Sequence, residues 1–297
     1  MSNGTIGFIG LGAMGAPMVR NLLGKGWSVV IAPRDPAKAI DLVEAGAHLV
    51  ADHAAVAPLV DTLITCLPDA ASVRDVLFGD RGFLTGGAWQ GTIVDTSTIA
   101  PAAAQEIGAD LASRGIDFLD APISGGVRGA TNGTLSIMVG GDAAVLERVR
   151  PILAAMGTRI THCGAVGAGQ VTKACNQLIV MSTTTAVAES MRLAEHAGVD
   201  PWIVREVLLG GYANSPLLDI NGPRIIDDEY TPGGRAIFHA KDIATIEEIS
   251  QRSGLPLPLF EAVRAQFERL FASGGGDLDH SAVGTLYPHA PGYPKRG

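Results

Sequence analysis

The pattern of apolar and polar positions changes character once along the chain, close to Gly164. Before that point, short apolar runs alternate with longer amphipathic stretches. The runs predict strands over residues 6–9, 27–32, 62–67, 92–95, 117–121, 135–139 and 160–163. The stretches between them predict helices over 16–23, 36–45, 71–77, 101–114 and 143–156, with Gly46 as the stop of the second. Strands alternating with helices give an α/β domain over 1–164. Its sheet is doubly wound, mostly parallel and covered on both faces. After Gly164 the strand signals stop. Residues 165–169 form a glycine-punctuated joint, and 170–197 hold no proline and carry apolar residues on every face. That predicts one long helix buried nearly all round, about 40 Å long at 1.5 Å per residue. Further helices are predicted over 201–209, 215–226, 240–252 and 259–272, the first opened by Asp200 as cap and Pro201. An all-α domain over 165–297 follows, joined to the first by the long interdomain helix. The tail from Pro288, rich in proline and glycine, reads as extended or frayed.

Composition narrows the classes. Hydrophobic residues make up 47 % of the 297 residues, enough for sizeable cores and against disorder. The 22 basic and 30 acidic residues leave a net charge of −8, which argues against a nucleic-acid surface. The apolar start lacks a basic leader region and is read as the first strand, not a signal peptide. No uncharged stretch is apolar enough to suggest a membrane span. Cys66, Cys163 and Cys175 show no metal or disulfide spacing and are read as reduced core thiols, which points to the cytoplasm. His162, His196, His239 and His280 lack metal-ligand spacing and are read as surface or supporting residues. No metal is expected.

The first chemical signal is Gly10-Leu11-Gly12-Ala13-Met14-Gly15, set between the first strand and the first helix. Gly10 permits a sharp turn, Gly12 lets the backbone approach a pyrophosphate, and Gly15 lets the helix pack close to the strand. The free N–H groups at the helix start attract the phosphates. This order predicts dinucleotide binding. The second strand ends Ala32-Pro33-Arg34-Asp35. Proline stands where an acid would hold the ribose of NAD, and Arg34 can clamp a 2′-phosphate, which favours NADP. Asp35 keeps NAD open, since it could reach the ribose or neutralise Arg34.

Lys173 supplies the reaction. It lies early in the long helix, three residues before Asn176 and therefore on the same face. Its apolar surroundings predict a desolvated lysine able to act as acid or base on an alkoxide. In Asp120-Ala121-Pro122-Ile123-Ser124-Gly125-Gly126, the serine and two glycines can present consecutive N–H groups to a carboxylate.

Taken in order, these motifs, with Gly169-x-x-x-Lys173-x-x-Asn176 and Phe238-x-x-Lys241-Asp242, resemble the β-hydroxyacid dehydrogenase family, over almost the whole chain. That group holds 3-hydroxyisobutyrate dehydrogenase and tartronate semialdehyde (2-hydroxy-3-oxopropionate) reductase. The resemblance implies a Rossmann domain followed by a helical domain in a homodimer or homotetramer. It implies Lys173 as catalytic acid/base with Asn176 orienting the substrate, and Ser124, Gly125 and Gly126 holding its carboxylate. Leu67, Pro68 and Thr98 would line the nicotinamide, and Lys241 would reach the cofactor. A side-chain pocket is expected near Tyr212, Asn214 and Phe238. The expected activity is hydride transfer between NADP (or NAD) and a short 3-hydroxy acid or its semialdehyde. An imine reductase on the same scaffold and a catalytically inactive nucleotide-binding regulator are the alternatives. Gln177 stands where many members carry a second asparagine, and Pro33-Arg34-Asp35 matches neither ribose-binding form of the family.

Overall fold

A computed structural model describes residues 4–293. It divides the chain into two units, one ending at Lys173 and the other beginning at Ala174.

The first unit is built on Thr5–Ile9 (β1), Gly15–Gly24 (α1), Ser28–Ile31 (β2), Ile40–Glu44 (α2), His48–Leu49 (β3), Thr62–Thr65 (β4), Ala70–Phe78 (α3), Thr92–Asp95 (β5), Pro101–Ala112 (α4), Asp117–Asp120 (β6), Ile123–Ser124 (β7), Gly126–Asn132 (α5), Leu135–Gly140 (β8), Ala143–Leu153 (α6) and Gly157–Gly164 (β9). The strands form one sheet in the order β3-β2-β1-β4-β5-β6-β8-β7, with β9 parallel to β8. From β3 to β6 every pairing is parallel, whereas β8 meets β6 and β7 antiparallel. The chain leaves β1 toward β2 on one side and returns to β4 on the other. That reversal opens a crevice at the carboxyl ends of β1 and β4.

Alternation along the strands fills two cores, one on each face. Phe8 packs with Met18, Leu22, Val139 and Leu146. The neighbouring Ile9 turns to the opposite face, with Leu63, Phe83, Ile93 and Phe118. Most expected elements stand, with ends moved by a few residues. The stretch 36–45 does not make one helix. It opens as a 3-10 turn, Pro36–Ala39, whose Ala37 N–H is capped by Asp35. Ala39 then leaves helical geometry (φ −115°, ψ 2°) before α2 begins. β3 and β7 are two residues each, too short for any periodicity to announce. α5 is a short helix between β7 and β8 with no expected counterpart. Asn21 Nδ2 donates to the Ala130 carbonyl at 2.6 Å to hold it against α1, and Gly133 ends it at φ +65°.

Ala168–His196 (α7) begins in the first unit and continues into the second. The second unit adds Pro201–Leu209 (α8), Pro216–Ile226 (α9), His239–Ser253 (α10) and Pro258–Ala272 (α11). Met191, Leu218, Ile225 and Leu270 anchor one cluster there, and Met181, Ile246, Phe260 and Phe267 another. α7 is not buried all round. Ile179 and Leu193 are 62 % and 71 % exposed. With Cys175, Ala186, Glu189 and His196 they mark one open stripe at helical spacing. Apolar residues on every face therefore fill more than the unit's own core can take. Cys175 lies on that stripe, and Cys66 and Cys163 are only half-buried, so the core-thiol expectation fails, though all three are free.

The described part of the tail, up to Tyr293, is better held than expected; residues 294–297 lie outside the described residues. His289 Nδ1 lies 3.0 Å from Glu195 and its Nε2 2.8 Å from Asp228. Buried Arg192 bonds Glu195 at 2.6 Å and Asp228 at 2.8 Å. A buried arginine tied to two carboxylates and an imidazole is strong only as a complete set, because each member left alone would be desolvated without compensation. Tyr293 stacks on His289, with ring centroids 6.1 Å apart.

Candidate functional site

In the first unit the candidate residues gather at the carboxyl ends of β1, β4, β5 and β6. Gly10 turns at φ +108°, and a Cβ there would run into the Cys66 carbonyl and lie 3.2 Å from the Leu67 side chain. A Cβ on Gly15 would strike the Gly10 carbonyl. One on Gly12 would meet nothing within 4 Å, and no side chain caps α1. Two glycines thus close the turn on the strand while the third faces open space, with exposed Ala13 and partly buried Leu11 and Met14 around it. These residues fit a pyrophosphate set on the N-terminus of α1.

Hydrogen bonds carry the edge onward from Gly10. Leu67, followed by exposed Pro68, donates its N–H to Ser97 Oγ at 2.8 Å. Ser97 precedes half-buried Thr98, and Asp95 braces this loop by accepting from Ser97 N at 3.0 Å and Thr65 Oγ1 at 2.8 Å. The first turn of α7 docks beside it. Asp120, wholly buried at the end of β6, accepts from Gly167 N at 2.7 Å and Gln170 N at 2.9 Å. A carboxylate on the open N–H groups of a helix start is doubly favoured, by hydrogen bonding and by the dipole. Burial pushes the Asp120 carboxyl up to about 6, while the two N–H donors pull it back. At neutral pH it is ionised and accepts from both.

Gly169 permits this approach. A Cβ there would collide with the Met138 carbonyl and lie 2.8 Å from both the carbonyl and a carboxylate oxygen of Asp120. Its place in the Gly169-x-x-x-Lys173 motif therefore follows from helix-to-sheet packing. One turn further on, Lys173 is 8 % exposed, as its apolar setting predicts. Ser124 ends β7, paired antiparallel with Ser136, and Gly125 and Gly126 follow with φ of +134° and +60°. Both glycines are exposed.

Arg34 and Asp35 lie exposed past the end of β2. Asp35 Oδ1 accepts from Ala37 N at 3.1 Å and so serves as a cap. Half-buried His53, which sequence reasoning missed, bonds to the Ala32 backbone close to Arg34. Burial lowers its pKa, Asp75 opposes that, and Arg34 adds to it.

In the second unit Asn176 is half-buried, three residues after Lys173 on α7. It heads a chain of polar side chains. Asn176 Nδ2 donates to Gln177 Oε1 at 2.9 Å, and Gln177 Nε2 to Asp242 Oδ2 at 2.5 Å. His239 Nδ1 reaches the same oxygen at 3.1 Å, and its Nε2 meets His280 Nδ1 at 3.1 Å. Asn221 Nδ2 closes the chain, 3.3 Å from His280 Nε2 and 3.2 Å from Thr184 Oγ1. One assignment satisfies every bond: both imidazoles neutral with the proton on Nδ1. Burial lowers the His280 pKa to about 4, helped by His239 and opposed by Asp279. His239 and His280 support this chain, and they meet each other across 41 residues of sequence. Lys241 is half-buried in the first turn of α10. Phe238 is 51 % exposed, and Tyr212 and Asn214 are exposed. Among the described residues no group of three or more His, Cys, Asp or Glu could hold a metal ion.

Both parts of the chain match known families. Residues 5–164 match the family described as the NAD binding domain of 6-phosphogluconate dehydrogenase. Residues 167–287 match the NAD-binding family of NADP-dependent 3-hydroxyisobutyrate dehydrogenase. The chain is 40 % identical to the 2-hydroxy-3-oxopropionate reductase of Escherichia coli K12, over 94 % of this chain and 95 % of that one. A 3-hydroxyisobutyrate dehydrogenase structure from Salmonella typhimurium superposes with a TM-score of 0.87 at 31 % identity, covering 96 % of this chain and 100 % of that one. The Mycobacterium tuberculosis 3-hydroxyisobutyrate dehydrogenase, solved with L-serine, gives 0.83 at 35 % identity, covering 95 % and 98 %.

The histidine chain generates a pH prediction. A histidine whose pKa is lowered on folding binds less proton folded than unfolded, so it weakens the fold as pH falls from about 6.5 toward 4. His280→Gln removes that penalty. Its melting temperature relative to the parent protein should therefore rise steadily as pH drops through this window. Parallel melting curves for the two proteins would contradict the assignment.

Proposed function

The chain belongs to the β-hydroxyacid dehydrogenase family, and from that premise we propose that it moves hydride between NADP and a short 3-hydroxy acid or its semialdehyde. Relatives it matches are named 2-hydroxy-3-oxopropionate reductase, NAD-dependent L-serine dehydrogenase and 3-hydroxyisobutyrate dehydrogenase, which supports NAD(P)-dependent oxidoreduction of a hydroxy acid. The observation that carries the finer reading is Lys173. It is buried one turn beyond a helix start docked on the carboxyl edge of the sheet, where Gly10, Leu67 and the Thr98 loop also lie.

When bound, the nicotinamide ring gives up or accepts the hydride. The chain's own residues do the rest. Lys173 takes the hydroxyl proton during oxidation and returns it during reduction, its charge steadying the alkoxide. Asn176, with one amide N–H donated to Gln177, orients the hydroxyl. Ser124, Gly125 and Gly126 hold the carboxylate. Thr98, Leu67 and Pro68 flank the ring, and Gly10, Leu11, Gly12, Ala13, Met14 and Gly15 hold the pyrophosphate. We also assign Lys241 to cofactor binding and Phe238 to substrate binding. We assign the cofactor-binding part to residues 1–164 and the helical part to 165–297.

Two features favour NADP. Arg34 is exposed past the end of β2, and Asp35, the residue that could serve NAD, is engaged as a cap. The imine-reductase alternative has less support, since those relatives usually carry another residue where Lys173 stands. An inactive regulator fits poorly with an intact glycine turn and a buried lysine. The open apolar stripe on α7, with Ile203 and Val207 exposed on α8, supports a homodimer or homotetramer. A single-chain mass in sedimentation equilibrium would remove that reading. Among the described residues no helix is long and apolar enough to cross a membrane, and the free cysteines suit the cytoplasm.

Two substitutions test the assignment. Lys173→Ala should cut kcat by roughly 10²–10⁴-fold, with cofactor affinity nearly intact; retained turnover would remove the lysine from the mechanism. Arg34→Ala should raise KM for NADPH far more than KM for NADH. An equal effect on both would argue against a 2′-phosphate clamp.

A further inference from the structure

The side chain of Gln170 has no place in the mechanism above, yet it is 1 % exposed and makes two hydrogen bonds to one loop. Its Oε1 accepts from Ile99 N at 3.1 Å, and its Nε2 donates to Ser97 O at 2.9 Å. Thr98 lies between those two backbone groups. The backbone N–H of the same residue donates to Asp120 at 2.9 Å. Gln170 therefore ties three segments at one point: the β5 loop carrying Thr98, the end of β6 that leads to Ser124, and the turn of α7 that carries Lys173. A primary amide suits this position. It offers one acceptor and donors in a plane, matching the N–H and C=O on either side of Thr98. Glutamate lacks the donor when ionised. Leucine or methionine would leave a buried N–H and a buried C=O unpaired.

We propose that Gln170 is a positioning residue for catalysis, fixing the distance between the Thr98 loop and Lys173. The proposal rests on the reading of Lys173 as the acid and base and Thr98 as a nicotinamide neighbour. Displacement of a reacting group by about 1 Å can cost on the order of 10²-fold in rate, so a tether that sets this spacing acts on turnover more than on binding.

Gln170→Met keeps the volume and removes both bonds, and Gln170→Glu keeps the acceptor for Ile99 N while losing the donor to Ser97 O. Three readouts separate positioning from general stability. Amide exchange of Ile99, measured on the protein without cofactor, should speed up roughly ten-fold or more in Gln170→Met and less in Gln170→Glu. In Gln170→Met, kcat should fall on the order of 10–100-fold while the NADPH dissociation constant stays within about two-fold. The isotope effect on kcat with deuterated NADPH should grow as hydride transfer becomes limiting. If Gln170→Met does not fold, the same three readouts on Gln170→Ala, which also removes both bonds, decide. Unchanged Ile99 exchange would overturn the tether. Accelerated exchange with kcat within about two-fold of the parent would overturn its role in positioning. Lys173→Ala measured in parallel keeps the readings apart. If that variant stays active, the lysine assignment fails, whereas the Ile99 exchange result on Gln170 stands.

Discussion

Asp120 and the first turn of α7 share the interaction on which the first unit's site depends. A buried carboxylate is costly, and its raised pKa records that cost. What offsets it is a pair of charge-assisted bonds, each worth on the order of 1.5–3 kcal/mol, to N–H groups that the helix start would otherwise leave unmet. The same contact decides where the helix begins relative to the sheet. Because α7 rises by a fixed amount per residue, fixing its first turn also fixes the height of Lys173. Gly169 and Gly140 make room for this contact. A Cβ on either would intrude on Asp120 or on the neighbouring backbone.

The sheet contributes a second constraint. Its strands end in register, with Ile9 beside Thr65, Thr65 beside Asp95, and Asp95 beside Asp120. Residues far apart in sequence are thereby brought to one edge, and the side chains of Ser97, Gln170 and Asp120 stitch the loops together. Carbonyl and amide groups at strand ends have no ladder partner, so these loops need side-chain partners if they are to be buried. The residues that meet that need also hold the candidate chemical groups still. In the second unit the chain from Asn176 to Asn221 plays a comparable part, because each side chain along it is bonded to the next and the amide of Asn176 is thereby oriented.

Much of the fold was legible because its signals are local. A buried strand is a short apolar run, and Gly10 and Gly15 are glycine for reasons a strand–turn–helix order already implies. Lys173 stood out because an isolated lysine in small apolar surroundings is unusual. What stayed hidden was non-local or very short. β3 and β7 have two residues each and no period to detect. Gln170 and His239 look ordinary in sequence, and their importance comes from partners tens of residues away. The exposed stripe on α7 was hidden for the opposite reason: apolar residues on every face cannot tell a core contact from an exposed surface. Asp35 shows a local competition, in which capping the Pro36 turn takes up a carboxylate that sequence alone left available to a ribose.

A crystal structure with NADPH and a short 3-hydroxy acid bound tests the central claim most directly. The account predicts Lys173 Nζ within about 3 Å of the substrate hydroxyl oxygen, with the Asp120 bonds to the α7 turn and the Gln170 bonds to the Thr98 loop intact. It also predicts the substrate carboxylate on the N–H groups of Ser124–Gly126. A substrate bound with its hydroxyl out of reach of Lys173, or an α7 start detached from Asp120 in that complex, would contradict it.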